Sequence, residues 1–225
     1  MGHTTKLAGR YRLLNPLGGG AVRLAFDEPG HRDVVVRELR PPAGLVERAA
    51  DDARRLAALR HGCLVPVADV VAGDGAVWVV MEFVSGTSLE RAVGSRGPLP
   101  AAQAARAGVC VLEGLSAAHA LGIVHGRVDP GNVLLTPTGR ALLTGFGLPQ
   151  PELRPSADLW SLAATLHFAV EGRPPGTSPA AGADPLRSLI RAMLDPAGPP
   201  PVELVSGTLR RLALERSAGT GGPAF

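Results

Sequence analysis

GIVHGRVDPGNVLLTPTGRALLTGFG, residues 122–147, holds two short apolar runs, Asn132–Thr136 and Ala141–Thr144, joined by a turn at Thr138-Gly139. The runs are rich in Val and Leu and the turn supplies glycine, which predicts a small antiparallel pair of strands. Polar residues crowd just before the pair: His125, Arg127, Asp129 and Asn132 lie within eight positions. A glycine-flanked phenylalanine, Gly145-Phe146-Gly147, closes the stretch.

Upstream, residues 11–84 read as strands with one helix among them. Tyr11–Leu14, Val22–Phe26, Asp33–Leu39, Val65–Val71 and Ala76–Val84 are rich in valine and aromatic residues, and Asp74-Gly75 marks a hairpin turn between the last two. Apolar residues at Val46, Ala49, Ala53, Leu56 and Leu59 predict a helix over 46–60. Downstream, helices are predicted at 100–121, 156–171, 184–194 and about 202–216. The second opens with Ser156 as its cap, is apolar on nearly every face and ends at Gly172, so it belongs at the centre of a helical layer. The third begins Asp184-Pro185, a cap followed by a first-turn proline. The expected organisation is a tail at 1–10, a sheet lobe at 11–84, a helical lobe at 85–216 and a tail at 217–225, with a hinge near Glu82–Gly86 and a cleft between the lobes.

Composition narrows the classes. Hydrophobic residues form 45% of the 225 and charged residues 19%, with no apolar run long enough to span a bilayer. A soluble, cytoplasmic protein is expected. The formal charge is +3, carried by scattered arginines without aromatic partners, which argues against a nucleic-acid surface. Lys6 is the sole lysine. Cys63 and Cys110, far apart in sequence and in apolar surroundings, read as reduced core thiols rather than as a disulfide or a metal site.

The order of these segments resembles the Ser/Thr protein kinases of actinomycete-like bacteria, over about Tyr11–Leu214. YRLLNPLGGG with VRLAFD resembles the glycine-rich hairpin, VVVREL the strand of the phosphate-anchoring lysine, and VVMEFVSGTSL the gatekeeper and hinge. The opening stretch is similar to the catalytic loop and metal-binding turn, and SADLWSLAATL to the central helix of that family. The implied fold is α+β and two-lobed, a small antiparallel sheet lobe with one helix plus a larger, mainly helical lobe.

Measured against that resemblance, the residues of phosphoryl transfer are missing. Transfer needs phosphates positioned, charge neutralised by metal, and a carboxylate to take the hydroxyl proton. The lysine position is Arg37, and the carboxylate that would pair with it is Asp52, a pair able to span a similar gap. Arg127 replaces the catalytic aspartate, Gly126 the preceding arginine, and Asp129 stands at the following lysine. A guanidinium cannot accept that proton. Gly145 replaces the magnesium-binding aspartate, leaving Asn132 as a vestigial ligand, so no metal site is expected. The glycine-rich turn is about three residues short between Leu17 and Val22, and the activation segment is cut down to a few residues before Pro151-Glu152.

Structural positions persist. Leu56, His125 and Phe146 can stack into one apolar column, and Asp158 can accept from the loop backbone. The adenine-lining positions Leu17, Val22, Val35, Met81 and Leu134 stay apolar around a hinge backbone at Glu82–Val84. The expectation is therefore a pseudokinase that scaffolds or regulates a protein partner, a kinase or a co-expressed enzyme, with no cofactor required and any ATP or other nucleotide held without magnesium by Arg37 and Arg127. The alternatives are a weak Ser/Thr kinase using Asp129 as base, and a nucleotide-sensing module.

Overall fold

Six strands build one antiparallel sheet: β1 (Lys6–Leu7), β2 (Tyr11–Leu17), β3 (Val22–Asp27), β4 (Arg32–Leu39), β5 (Val67–Gly73) and β6 (Ala76–Glu82), in the order β1-β2-β3-β4-β6-β5. The computed structural model describes residues 6–17, 22–150, 152–176 and 184–215. The chain divides into two compact units, Met1–His61 with Val65–Val84, and Gly62–Leu64 with Ser85–Phe225.

In the sheet unit, the period-two alternation of VVVREL sends Val34 and Val36 to one face, where they pack with Leu7, Tyr11, Ala25 and Val80. The register pairs Val22 with Arg37, and both Leu24 and Met81 with Val35. The opposite face therefore carries Val22, Val35, Arg37 and Met81 together. The Asp74-Gly75 turn forms as expected, with φ of 50° and 72°. Two consecutive left-handed residues match the twist of a tight hairpin. Helix α1 (Val46–Ala58) buries Ala49, Ala53 and Leu56 of the predicted stripe and also Ala50, whereas Val46 is half-buried and Leu59 lies just past the helix end, which falls two residues short of the expected bound at Arg60.

Part of the expected N-terminal tail is structured. Ala8 and Gly9, at φ 51° and 66°, turn the chain so that Lys6 pairs with Arg12 and Leu7 with Tyr11. Leu7 is thereby buried in the sheet core, and Lys6 reaches Glu28 at 2.8 Å. Strand β5 starts at Val67 rather than Val65, because Pro66 has no amide to donate and instead offers its carbonyl to Glu82 N at 3.0 Å. The last strand ends at Glu82, two residues before the expected Val84.

The helical unit contains α2 (Leu89–Arg96), α3 (Ala101–Ala120), α4 (Pro155–Glu171), α5 (Pro185–Met193) and α6 (Val202–Leu214). It also holds a small antiparallel sheet of β7 (Thr87–Ser88), β8 (Val133–Leu135) and β9 (Ala141–Leu143). Helix α4 is the buried one, with Leu162, Ala163, Leu166 and Ala169 almost fully enclosed. Its cap is Arg154 rather than Ser156, since Pro155 already occupies the first turn. Gly172 ends it at φ 72°, donating its amide to Phe168 O at 2.9 Å. The expected tail at 217–225 and the turn at 18–21 lie outside the described residues. No helix among the described residues is long and apolar enough to cross a membrane.

The cysteines correct the expectation of two separate thiols. Cys63 and Cys110 form a disulfide with Cα atoms 5.2 Å apart. Residues 62–64 pack with the helical unit although their neighbours on both sides belong to the sheet unit, and sequence distance concealed this.

The Asp184 side chain accepts from Leu186 N at 2.8 Å and pairs with Arg187 at 2.9 Å. Replacement of Asp184 by alanine removes the cap of α5 and is expected to destabilise by about 1 kcal/mol. In thermal denaturation this reads as a midpoint lowered by about 2–4 °C.

Candidate functional site

The loop after α3 hangs on one carboxylate. Asp158, in the first turn of α4, is fully buried and accepts from His125 N, Gly126 N and His119 Nε2, each at 2.8 Å. Burial works to raise this carboxyl, but the hydrogen bonds from His119, His125 and Gly126 outweigh it and hold the group below the usual carboxylate range. Gly126 sits at φ 68°, and a Cβ there would press on Leu153 at 3.0 Å. The arginine that the family places here would be strained in this backbone.

His125 is completely enclosed and its ring is neutral in pattern: Nε2 donates to Thr144 O at 2.9 Å, and Nδ1 accepts from Arg127 N at 3.1 Å. Its ring also lies 4.4 Å from that of Phe146. Two members of the expected column thus meet. Leu56, the third, is buried within the sheet unit.

Arg127 contributes backbone to the loop and leaves its side chain exposed. Among the described residues its guanidinium makes no hydrogen bond or ion pair. Asp129 turns inward: Oδ1 accepts from Asn132 N at 3.0 Å and Oδ2 from Asn132 Nδ2 at 2.8 Å, capping the single 3₁₀ turn Pro130–Asn132. Asp129 also borders an apolar cavity of about 260 Å³ walled by Val128, Pro130, Thr165, Phe168 and Pro175. Asn132 Nδ2 donates to Arg127 O at 2.8 Å as well, so its amide nitrogen is spent on the loop.

Gly145 is buried with φ 80°, and a Cβ built there would overlap Oδ1 and Cγ of Asn132. The Asn132 amide fills the space that a side chain at 145 would need. A divalent magnesium ion wants several oxygen ligands, carboxylates foremost. Here Gly145 offers none and Asn132 one neutral oxygen, so these residues do not fit the ion. Among the described residues no group of three or more His, Cys, Asp or Glu is placed to hold a metal.

In the sheet unit, register puts Leu17 opposite Val22, so Leu17, Val22, Val35, Arg37 and Met81 share one face. Met81 is buried, Val22, Val35 and Arg37 are half-buried, and Leu17 is exposed. The ion pair expected between Arg37 and Asp52 is replaced: Asp52 pairs with Arg55 one turn along α1, at 3.6 Å. The helix supplies its own partner at i+3, which the shortened side chain reaches more easily. Burial raises the Asp52 carboxyl, opposed by Arg48 and Arg55. Glu82 lies within ion-pair range of Arg32 at 3.9 Å and Arg60 at 4.0 Å, and Val84 is half-buried beyond the strand. In the helical unit, Leu134 is half-buried on β8, opposite Ser88 and Leu142. His119 is the residue that sequence reasoning missed; its place in the last turn of α3 was the available signal.

Residues 18–169 match the protein kinase domain model. The chain belongs to the protein kinase domain family. It is 30% identical, over 86% of its length, to the probable serine/threonine-protein kinase PkwA of Thermomonospora curvata. It is 31% identical over 88% of its length to serine/threonine-protein kinase PknA of Mycobacterium tuberculosis, and 35% over 63% to pkn2 of Myxococcus xanthus. The matched stretch spans 29%, 54% and 18% of those three proteins respectively. The α+β kinase fold, an antiparallel sheet unit with one helix and a mainly helical unit, is thereby established for this chain.

Substituting Asp158 by asparagine keeps the shape, but it removes the charge and sets an amide donor against donors. A loss of about 3–5 kcal/mol is expected, read by chemical denaturation at neutral pH. Because the folded carboxyl titrates below its unfolded value, its contribution is present above about pH 4 and is lost as pH falls through the folded pKa. The wild type should therefore lose stability over that acid range by more than the asparagine variant does.

Proposed function

We infer that this chain is a catalytically impaired kinase homologue, a pseudokinase that acts as a binding, scaffold or allosteric module for a protein partner, a kinase or a co-expressed enzyme. The single observation that carries the reading is the pairing of Arg127 at the proton-acceptor position with Gly145 at the metal-ligand position. A guanidinium takes no proton from a hydroxyl at neutral pH, and an Asn132 amide seated against Gly145 leaves no room for a carboxylate.

Nucleotide binding without magnesium is part of this reading. Arg37 of the sheet unit and Arg127 of the helical unit carry positive charge where phosphates lie in the family, and arginine pairs with phosphate directly through its fork of donors. On the sheet unit the apolar face of Leu17, Val22, Val35 and Met81, with the Glu82–Val84 backbone, would take the base; on the helical unit Leu134 is the corresponding apolar residue and Asn132 the vestigial metal position. A nucleic-acid partner is not part of this reading.

The second reading is a weak Ser/Thr kinase, favoured by the names of the relatives. It needs Asp129 as the proton acceptor. Against it, both Asp129 oxygens already accept from Asn132, so the carboxylate is held by its own loop.

Incubating the purified chain with γ-labelled ATP, magnesium or manganese, and generic protein substrates should give no incorporation above a heat-killed control. Incorporation lost on Asp129→Asn would establish the second reading instead. In calorimetric titration, ATP affinity should change less than threefold between excess magnesium and excess chelator, and fall at least tenfold in Arg37→Ala. Strictly magnesium-dependent binding would refute the arginine account. Gly145→Asp should not restore transfer; the left-handed backbone and the overlap with Asn132 are expected to lower stability by about 1–3 kcal/mol.

A further inference from the structure

We propose that Cys63–Cys110 is a reversible thiol–disulfide site, a redox clamp that fixes the Gly62–Leu64 segment onto α3. This inference is independent of whether the chain binds nucleotide or transfers phosphate. These are the only cysteines of the chain, so neither sulfur has a competing partner within it.

The two sulfurs are brought together by structure that needs no covalent bond. Leu143 N donates to Cys63 O at 2.8 Å, and Leu64 bridges to Leu143 as a parallel neighbour. Arg140 Nη2 donates to Gly62 O. On α3, Gly114 lies one turn beyond Cys110 and leaves a slot for Leu64: a Cβ at 114 would stand 2.7 Å from Leu64 Cδ2. The same helix stripe thus seats the segment and offers it a sulfur. A dithiol held in such a frame re-forms its bond without searching for its partner.

Access is one-sided. Cys63 is 9% exposed, whereas Cys110 is half-buried. A thiolate of a dithiol reductant therefore attacks Cys110 Sγ, forming a mixed disulfide, and Cys63 Sγ departs and takes a proton. Glu113 Oε2, 3.7 Å from Cys63 Sγ, is placed to accept the resulting S–H. The reductant's second thiolate then displaces Cys110. Two electrons and two protons pass to the protein, and the reductant becomes the disulfide.

The clamp matters because of where the segment lies in the chain. Only Leu59, Arg60 and His61 separate it from the end of α1, and β5 begins three residues after Leu64. Closing a chain separation of 47 residues removes substantial freedom from the unfolded state. Reduction should loosen this connection first.

The full chain, purified without reductant, should show no free thiol in the native state and two after exposure to reduced glutathione or dithiothreitol, reversibly and without denaturant. Amide exchange at Leu143 and across 62–65 should speed up about tenfold on reduction, and the thermal midpoint should fall by roughly 5–15 °C. Cys110→Ser and Cys63→Ser should copy the reduced exchange; the reduced wild type supplies the same test should a variant fail to fold. Two free thiols in the untreated native protein, reduction only after unfolding, or unchanged exchange would each overturn the proposal.

Discussion

A carboxylate withdrawn from water and left with nothing but donors around it is the constraint on which the helical unit turns. Asp158 fixes the direction in which the chain leaves α3, because it binds two successive amides, at His125 and Gly126, and a side chain of α3 itself, His119. That anchoring sets His125 in its enclosed position, and the His125 ring then joins its own loop through Arg127 N to the end of β9 through Thr144 O. The short sheet of β8 and β9 follows from the same chain of contacts, since Thr144 N donates to Asn132 O at 2.9 Å and Gly147 N to His125 O at 2.8 Å. Charged hydrogen bonds inside protein are stronger than neutral ones, and an unmet buried charge is far worse than either. The loop is therefore locked by the penalty of undoing it.

This architecture separates holding the loop from using it. The groups that hold it are backbone amides, a carbonyl, His119, His125 and Asp158, and none of these needs the residue at 127 or 145 to be acidic. Arg127 supplies an amide and a carbonyl to the network, which any residue except proline could do, while its side chain stays outside. Gly145 supplies only space, taken by Asn132. The network that holds the loop therefore forms with arginine at 127 and glycine at 145.

Much of this was readable from residue order because it rests on local rules. Asp74-Gly75 specified a hairpin, Asp184-Pro185 a capped helix start, and the spacing of Ala49, Ala53 and Leu56 a buried helix face. What escaped reading depends on partners distant in sequence or on segments too short to show a period. Strand β1 has two residues and owes its existence to the turn at Ala8-Gly9 and to burial of Leu7; α2 has eight and rests on the Ser88 cap, which accepts from Arg91 N at 3.2 Å. The disulfide needed knowledge that residues 62–64 leave the sheet unit for α3. At the candidate site, the substitutions themselves were legible, but Asp52 turning to Arg55 and Asp129 turning to Asn132 were not, because a local hydrogen-bond or ion-pair partner competes with the distant one and sequence does not rank the two.

That competition also bears on how far a carboxylate in this loop can be recruited for chemistry. A general base must present a lone pair to the substrate proton and gain by taking it. Asp129 has each oxygen engaged by an N–H of Asn132, and one of those bonds caps the 3₁₀ turn that leads into β8. A substrate hydroxyl would have to compete with both of these N–H donors for the carboxylate, and displacing either would loosen the turn. An arginine such as Arg127 meets no such conflict when an anion approaches: its charge is permanent, its guanidinium has no partner among the described residues, and its backbone bonds are untouched by what the side chain does. On electrostatic grounds the proposed anion-binding role asks least of this loop, because Arg127 could meet an anion without disturbing the backbone bonds that position it.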